Sequence, residues 1–216
     1  MTKSQKKRLF IILIATIVLV DQIVKILVKT HLHIGEDIVL IGDWCHLHFI
    51  ENEGFAFGTA FGGAVGKIIL TSFRLVMAGL ILWYIVKKNK ENGRTSLIVC
   101  LSLILAGAIG NIVDSCFYGL IFSESSYDVA ILFPPEGGYA PLLLGKVVDM
   151  FYFPLFEFDW PQWIPLIGGV HFEFFNAIFN VADASITIGV IWLIVELVFF
   201  QKKQGNNSSE EKIIET

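Results

Sequence analysis

The sequence predicts an all-α membrane protein with a small β addition: four transmembrane helices, both termini cytoplasmic, and a β segment outside. Three observations predict it. Of 216 residues, 55% are hydrophobic and 17% charged, and mean hydropathy is +0.68, too apolar for an ordinary soluble domain. Four stretches, roughly 8–28, 67–86, 95–114 and 176–200, are long enough to cross about 30 Å of hydrocarbon as helices of about 20 residues. Lysine and arginine gather at Lys3, Lys6, Lys7 and Arg8, at Lys87, Lys88, Lys90 and Arg94, and at Lys202 and Lys203. The positive-inside rule assigns all three groups to one side, the cytoplasmic one. The net charge of −4 conceals this asymmetry and does not suggest a nucleic-acid partner.

Taken in order, the basic start KSQKKR leads into an apolar run that continues through Asp21 to Lys29. No small-x-small cleavage site precedes a polar segment, so this is a first span rather than a removable leader. Residues 31–62 hold the alternating stretches DIVLIG and CHLHFIE, which suit short strands of a small sheet at the membrane surface. Glycine-rich 61–66 leads into the second span. After the third span, 115–146 is expected as a long outer loop or small subdomain. The stretch FYFPLFEFDWPQWIPLIGG, from Phe151 to Gly169, is dense in aromatics and proline and suits an amphipathic segment at headgroup level. Residues 1–200 thus form a single transmembrane domain, and 201–216 a polar cytoplasmic tail expected to be disordered. Cys45, Cys100 and Cys116 lack CxxC spacing and read as mostly structural; a Cys45–Cys116 disulfide would require both to lie outside.

The polar residues within the spans carry the chemistry. An Asp at mid-helix costs about 3 kcal/mol, so it usually faces a partner, a wet cavity or a reaction. Asp21 stands about 20 Å along an outward-running helix from Arg8. Asn111 and Asp114 end the third span, and Asn180 and Asp183 fall early in the inward-running fourth, with Asp183 about 10 Å below the surface. All five share one layer, and Asp149 arrives from the outer connection. Each alone would be read as an interhelical hydrogen bond, and Asp21 with Lys25 as an i,i+4 pair. Together they exceed what packing needs. Two carboxyl groups crowded in a poorly solvated site do not both ionise easily, so one acts as base while the other stays protonated. A water shared between them loses a proton to one and attacks a peptide carbonyl whose oxygen the other binds. Asn52, Asn111 and Asn180 are placed to hold such a pair, and neither metal nor cofactor is needed.

Five blocks carry a family resemblance: Asp21-Gln22-Ile23-Val24-Lys25, Asn52-Glu53-Gly54-Phe55-Ala56-Phe57-Gly58, Gly107-Ala108-Ile109-Gly110-Asn111-Ile112-Val113-Asp114, Val147-Val148-Asp149 and Phe179-Asn180-Val181-Ala182-Asp183. In this order and with four spans, the chain resembles the lipoprotein signal peptidases (signal peptidase II). The resemblance implies an intramembrane aspartic endopeptidase of the bacterial inner membrane, with its site near the periplasmic face; the chain is expected to be a monomer. It would cut prolipoproteins just before a diacylglyceryl-modified cysteine, among membrane lipids. It places the catalytic pair at Asp149 and Asp183, gives Asn52, Gly54, Asn111, Asp114 and Asn180 supporting or substrate-binding roles, and has Asp21 and Lys25 shape the site. It also implies a periplasmic sheet cradle and a surface helix before the last span. Two departures stand out. Ser115 occupies a position where the family usually has Arg, and the interval from Asp114 to Asp149 is much longer than usual. This insertion, 116–146, is expected to lie outside the membrane and to spare catalysis.

Two rival readings start from other residues. A transporter or proton-conducting protein also keeps acids in the membrane, but would spread them through its depth or show paired broken helices. Here the inner half holds little beyond Glu196, near Lys202, while Arg74 in the second span has no role in either reading. Zinc hydrolysis would draw on His31, His33, Cys45, His46 and His48, yet no HExxH pattern accompanies them.

Overall fold

The computed structural model describes residues 1–53 and 62–214. Its order is α1 (Lys3–His31), β1 (Asp37–Ile41), β2 (Cys45–Asn52), α2 (Gly63–Lys90), α3 (Thr95–Val113), a π-helical stretch (Asp114–Tyr118), α4 (Gly119–Ile121), β3 (Val147–Tyr152), β4 (Phe156–Asp159), β5 (His171–Phe174), β6 (Ile178–Phe179) and α5 (Val181–Ile214). Among the described residues, four helical segments are long and apolar enough to cross a membrane: Lys3–His31, Gly63–Lys90, Thr95–Ile121 and Val181–Val198. Their outward apolar residues, such as Phe73, Val76, Ile191 and Ile194, are exposed, as a lipid-facing surface requires.

Contacts divide the chain into two compact units. One comprises Met1–Val20, Arg74–Gly110 and Val181–Thr216. Within it, α3 and α5 pack closely because glycine removes side-chain bulk at the crossing. A Cβ on Gly107 would stand 2.2 Å from the Ala182 carbonyl oxygen, and one on Gly189 would stand 2.8 Å from that of Cys100. Ser185 Oγ donates to the Leu103 carbonyl at 2.8 Å. Glu196 takes Arg94 at 2.8 Å and the Ser96 hydroxyl at 3.0 Å, and the Lys202 side chain suggested as its partner lies outside the described ones.

The other unit comprises Asp21–Phe73 and Asn111–Asn180. It holds the four-stranded antiparallel sheet, in the order β1-β2-β3-β6, and a separate ribbon β4-β5. The alternating stretches around residues 37–42 and 45–51 form β1 and β2, as their period of two predicts. A core of Val28, Leu32, Phe49, Tyr118, Phe122, Val148 and Met150 joins the end of α1 to the sheet. Tyr118 and Phe122 belong to the insertion, which is therefore part of the folded body.

Several expectations are corrected. The region before α5 carries no surface helix: Phe156-Glu157-Phe158-Asp159 and His171-Phe172-Glu173-Phe174 pair as a hairpin. Prolines 154, 161 and 165 interrupt any helix there, and alternation of aromatic with charged residues suits a ribbon. Phe156 stacks on Phe174 at 4.6 Å and Phe158 meets Phe172 at 5.1 Å, an aromatic ladder along one face. The helical run through Ile121 replaces the start of the expected outer loop. The fourth helix begins at Val181 rather than Asn176, because Ile178–Phe179 pairs with β3 as β6. At its far end α5 runs to Ile214. All three cysteines are free thiols.

Candidate active site

Asp21, Lys25 and Lys29 recur every fourth residue and so line one face of α1. Lys25 is wholly buried, and an ammonium has three N–H groups to place. They meet Asp21 Oδ2 at 2.9 Å, Asp114 Oδ2 at 2.7 Å and Asn111 Oδ1 at 2.9 Å. Both carboxylates are also essentially buried. Further donors serve the two carboxyl groups. Gln22 Nε2 reaches Asp114 Oδ1 at 2.9 Å and Asp21 Oδ2 at 3.2 Å, and the Val148 amide donates to Asp114 Oδ2 at 3.4 Å. Tyr118 in turn donates its hydroxyl proton to Gln22 Oε1 at 3.2 Å.

The π-helical stretch supports this arrangement. Its wider turn keeps Asp114, Ser115, Cys116 and Tyr118 inside together. Ser115, where the family usually has Arg, turns its hydroxyl back to the Asn111 carbonyl at 2.9 Å. The returning end of the insertion lies against the same turn: the Gly145 amide donates to Ser115 O at 2.9 Å, and a Cβ on Gly145 would stand 2.1 Å from Asp114 O. Only glycine fits there.

Asp149 lies on β3 and is 2% exposed. Asn180 Nδ2 donates to its Oδ1 at 2.6 Å, and Asn52 Nδ2 to its Oδ2 at 3.3 Å. Both oxygens are thereby held by amide N–H groups, which fixes the plane of the carboxyl. The register explains how Asn52 arrives. It pairs with Val147, two residues from Asp149 on the same face of β3, so the two side chains are diagonal neighbours. A bulge on β2 between Leu47 and Ile50 sits directly beside Asp149 and turns the strand end toward it. Asn180 Nδ2 also lies 3.2 Å from Asn111 Oδ1. A continuous polar chain therefore links Lys25, Asn111, Asn180 and Asp149.

Of the residues the sequence singles out, Asp21, Lys25, Asn52, Asn111, Asp114, Asp149 and Asn180 all gather in this second unit. Gly54 lies outside the described residues. Asp183 belongs to the first unit, in the opening turn of α5, where the positive helix end favours a carboxylate. It was expected seven residues into the helix; the late start puts it at the helix entrance, and Asn180 stands just before the helix rather than within it.

A second buried cluster was not expected. Lys29 forms an ion pair with Glu51 on β2 and donates to Ser125 Oγ at 2.6 Å, while Ser125 donates to Glu51 Oε1 at 2.8 Å. Lys29 also lies over the rings of Phe122 and Tyr139, at 5.4 and 5.2 Å. The stripe Asp21–Lys25–Lys29 signals that Lys29 faces inward; nothing local marks Ser125, in the insertion, as its partner. His46 and His48, on one face of β2 as predicted, both approach Asp37, at 2.8 and 3.6 Å. That contact raises the His46 pKa above the ordinary histidine range.

Comparison with known proteins follows the same blocks. The family model for signal peptidase (SPase) II matches residues 13–199. A lipoprotein signal peptidase of Porphyromonas gingivalis is 47% identical over 184 residues, covering 85% of this chain and 80% of that protein. A lipoprotein signal peptidase of Amoebophilus asiaticus is 33% identical over 224 aligned residues, covering 100% and 90% respectively. A bacterial membrane enzyme solved by the in meso method at 2.3 Å superposes with a TM-score of 0.58 at 23% identity, covering 90% of each chain, and so shares the fold. With the matched region running through four apolar helices and the carboxylate sites described above, the chain belongs to the signal peptidase II family.

Proposed function

We propose that this protein is an aspartic endopeptidase that removes the signal peptide from bacterial prolipoproteins, cutting before the diacylglyceryl-modified cysteine. The observation that carries the reading is the family match over residues 13–199. Asp149 and Asp183 are assigned as the reacting pair. A water between them gives a proton to the ionised carboxylate as its oxygen attacks the scissile carbonyl carbon, and the protonated partner hydrogen-bonds the carbonyl oxygen. Collapse of the tetrahedral intermediate breaks the C–N bond, and the proton is delivered to the leaving amine. Asn52 and Asn180 hold Asp149 for this step through contacts of 3.3 and 2.6 Å. Asn111, Asp114 and Gly54 support the site or the substrate backbone, and Asp21 with Lys25 anchors it from α1.

The three basic clusters support an orientation with both termini in the cytoplasm, hence a site near the periplasmic face of the inner membrane, in one domain over 1–200 with a tail at 201–216. A diacylated substrate enters sideways from the bilayer, since exposing acyl chain costs about 0.8 kcal/mol per CH₂. The protein acts as a monomer in this reading. The test uses purified protein with a diacylated model prolipoprotein and its unlipidated version. Cleavage of the former alone, lost in both Asp149→Asn and Asp183→Asn, is the expected result; full turnover in either variant removes that residue from the pair.

A further inference from the structure

Beside the carboxylate site, within the second unit, lies a cavity of about 340 Å³ whose wall includes Glu53, Lys67, Glu124, Tyr139, Leu144 and Lys146. It opens where β2 ends and β3 begins. Glu53 directly follows Asn52, and Lys146 directly precedes Val147, its strand partner. Lys146 is three residues from Asp149 in extended chain, about 10 Å at a strand rise of about 3.3 Å per residue. Much of the wall comes from the insertion.

The two lysines differ in how they are engaged. Lys67 is 3% exposed and held by Glu53 at 2.7 Å. Lys146 is 26% exposed, and its ammonium has two carboxylates, Glu51 and Glu124, each at 3.6 Å, too far for a hydrogen bond. Tyr139 lies under it at 5.6 Å and fixes the backbone beneath by accepting the Lys146 amide at 2.6 Å. Among the described residues the Lys146 ammonium donates no hydrogen bond. Glu124, 70% exposed, swings into water at little cost and vacates one side of it.

We infer that this cavity is a subsite for the mature segment of the substrate, and that Lys146 there receives an acidic side chain about three residues beyond the cysteine. This rests on the proposed peptidase function. The signal-peptide side of the cut is apolar and stays in lipid, so only the chain leaving toward water suits a wall of charged residues. Distance sets the position along the substrate: an extended chain covers the gap from Asp149 in about three residues. Charge sets the side chain, because among the described residues of the wall Lys146 is a cation with no hydrogen-bonded carboxylate, flanked at 3.6 Å by buried Glu51 and by solvent-exposed Glu124, and only the latter side opens to an incoming acid.

The experiment compares diacylated peptides that differ only in Glu, Gln or Lys at the third residue after the cysteine, with full-length protein in lipid–detergent micelles. The Glu peptide is expected to show a kcat/KM about fivefold above the Gln peptide, mostly through KM, as suits a partly exposed ion pair. Lys146→Gln brings the ratio to about one, Lys146→Glu inverts it in favour of the Lys peptide, and Glu124→Gln raises it. Each ratio is taken within one preparation, so partial loss of folded protein cancels. Equal rates for the three peptides with the unaltered protein, or a Glu preference that survives Lys146→Gln, overturns the subsite while leaving the peptidase reading intact. Failure to cleave any of the three overturns both.

Discussion

Replacing Lys25 with Met removes a cation of similar length from a site with no access to water. Its three contacts, at 2.9, 2.7 and 2.9 Å, disappear together, leaving the Asp21 and Asp114 carboxylates buried with no cation between them. Gln22 and the Val148 amide still serve them, but a neutral donor does not offset a like-charge pair. Breaking a buried ion pair from one side costs about 3–5 kcal/mol, and here two acids are stranded by one change. The expected loss lies at the upper end of that range. Adding Asp114→Asn removes one stranded charge, so the double variant recovers about 2 kcal/mol relative to the sum of the singles. Reversible unfolding in mixed micelles measures all three. A loss below about 1 kcal/mol for Lys25→Met would mean that the cluster behaves as an exposed pair and that the burial argument is wrong.

Other predictions follow from particular contacts. Asp149→Asn and Asp183→Asn each lower kcat by about 10²–10⁴-fold or more without loss of membrane insertion, as single-turnover cleavage would register. Phe122→Ala, at a fully buried position in the insertion, costs about 3–5 kcal/mol in the same unfolding assay; a loss below about 1 kcal/mol would make the insertion a detachable appendage. Gly107→Ala forces α3 and α5 apart against a 2.2 Å contact and lowers thermal stability more than Gly79→Ala, where a Cβ meets nothing within 4 Å. The contact with Asp37 raises the His46 pKa in the folded state, so its stabilisation is full below the ordinary histidine pKa and disappears as pH rises through the folded value. The stability difference between the unaltered protein and His46→Gln should therefore be largest at acidic pH and vanish in alkaline buffer; a difference that grows with pH contradicts the assignment.

Sequence and structure agree most closely where local pattern and environment demand the same thing. Apolar length gave the spans, and period-two alternation gave β1 and β2. Asp21 and Lys25 announce their pairing by spacing, and the cost of placing polar or charged groups in apolar spans marks Asn111, Asp114 and Asn180. The misses share a cause: long-range partners that leave no local trace. Ile178 and Phe179 look like the beginning of a helix until β3 offers them a strand edge. Composition gives the aromatic stretch from Phe151 as an amphipathic segment and the family resemblance adds a surface helix, although its alternation and prolines favour a ribbon. Nothing in Tyr118, Phe122 or Ser125 of the insertion reveals locally that they complete a core and bind Lys29.

The i,i+4 pairing of Asp21 with Lys25 also bears on how the chain enters the bilayer during synthesis. The opening helix carries a counterion for Asp21, so that carboxylate passes from the translocation machinery into lipid already paired. Asp114 has no such companion on its own helix and gains its cation only when α3 reaches Lys25. Docking of the third helix onto the first is thus driven by neutralisation as well as by packing.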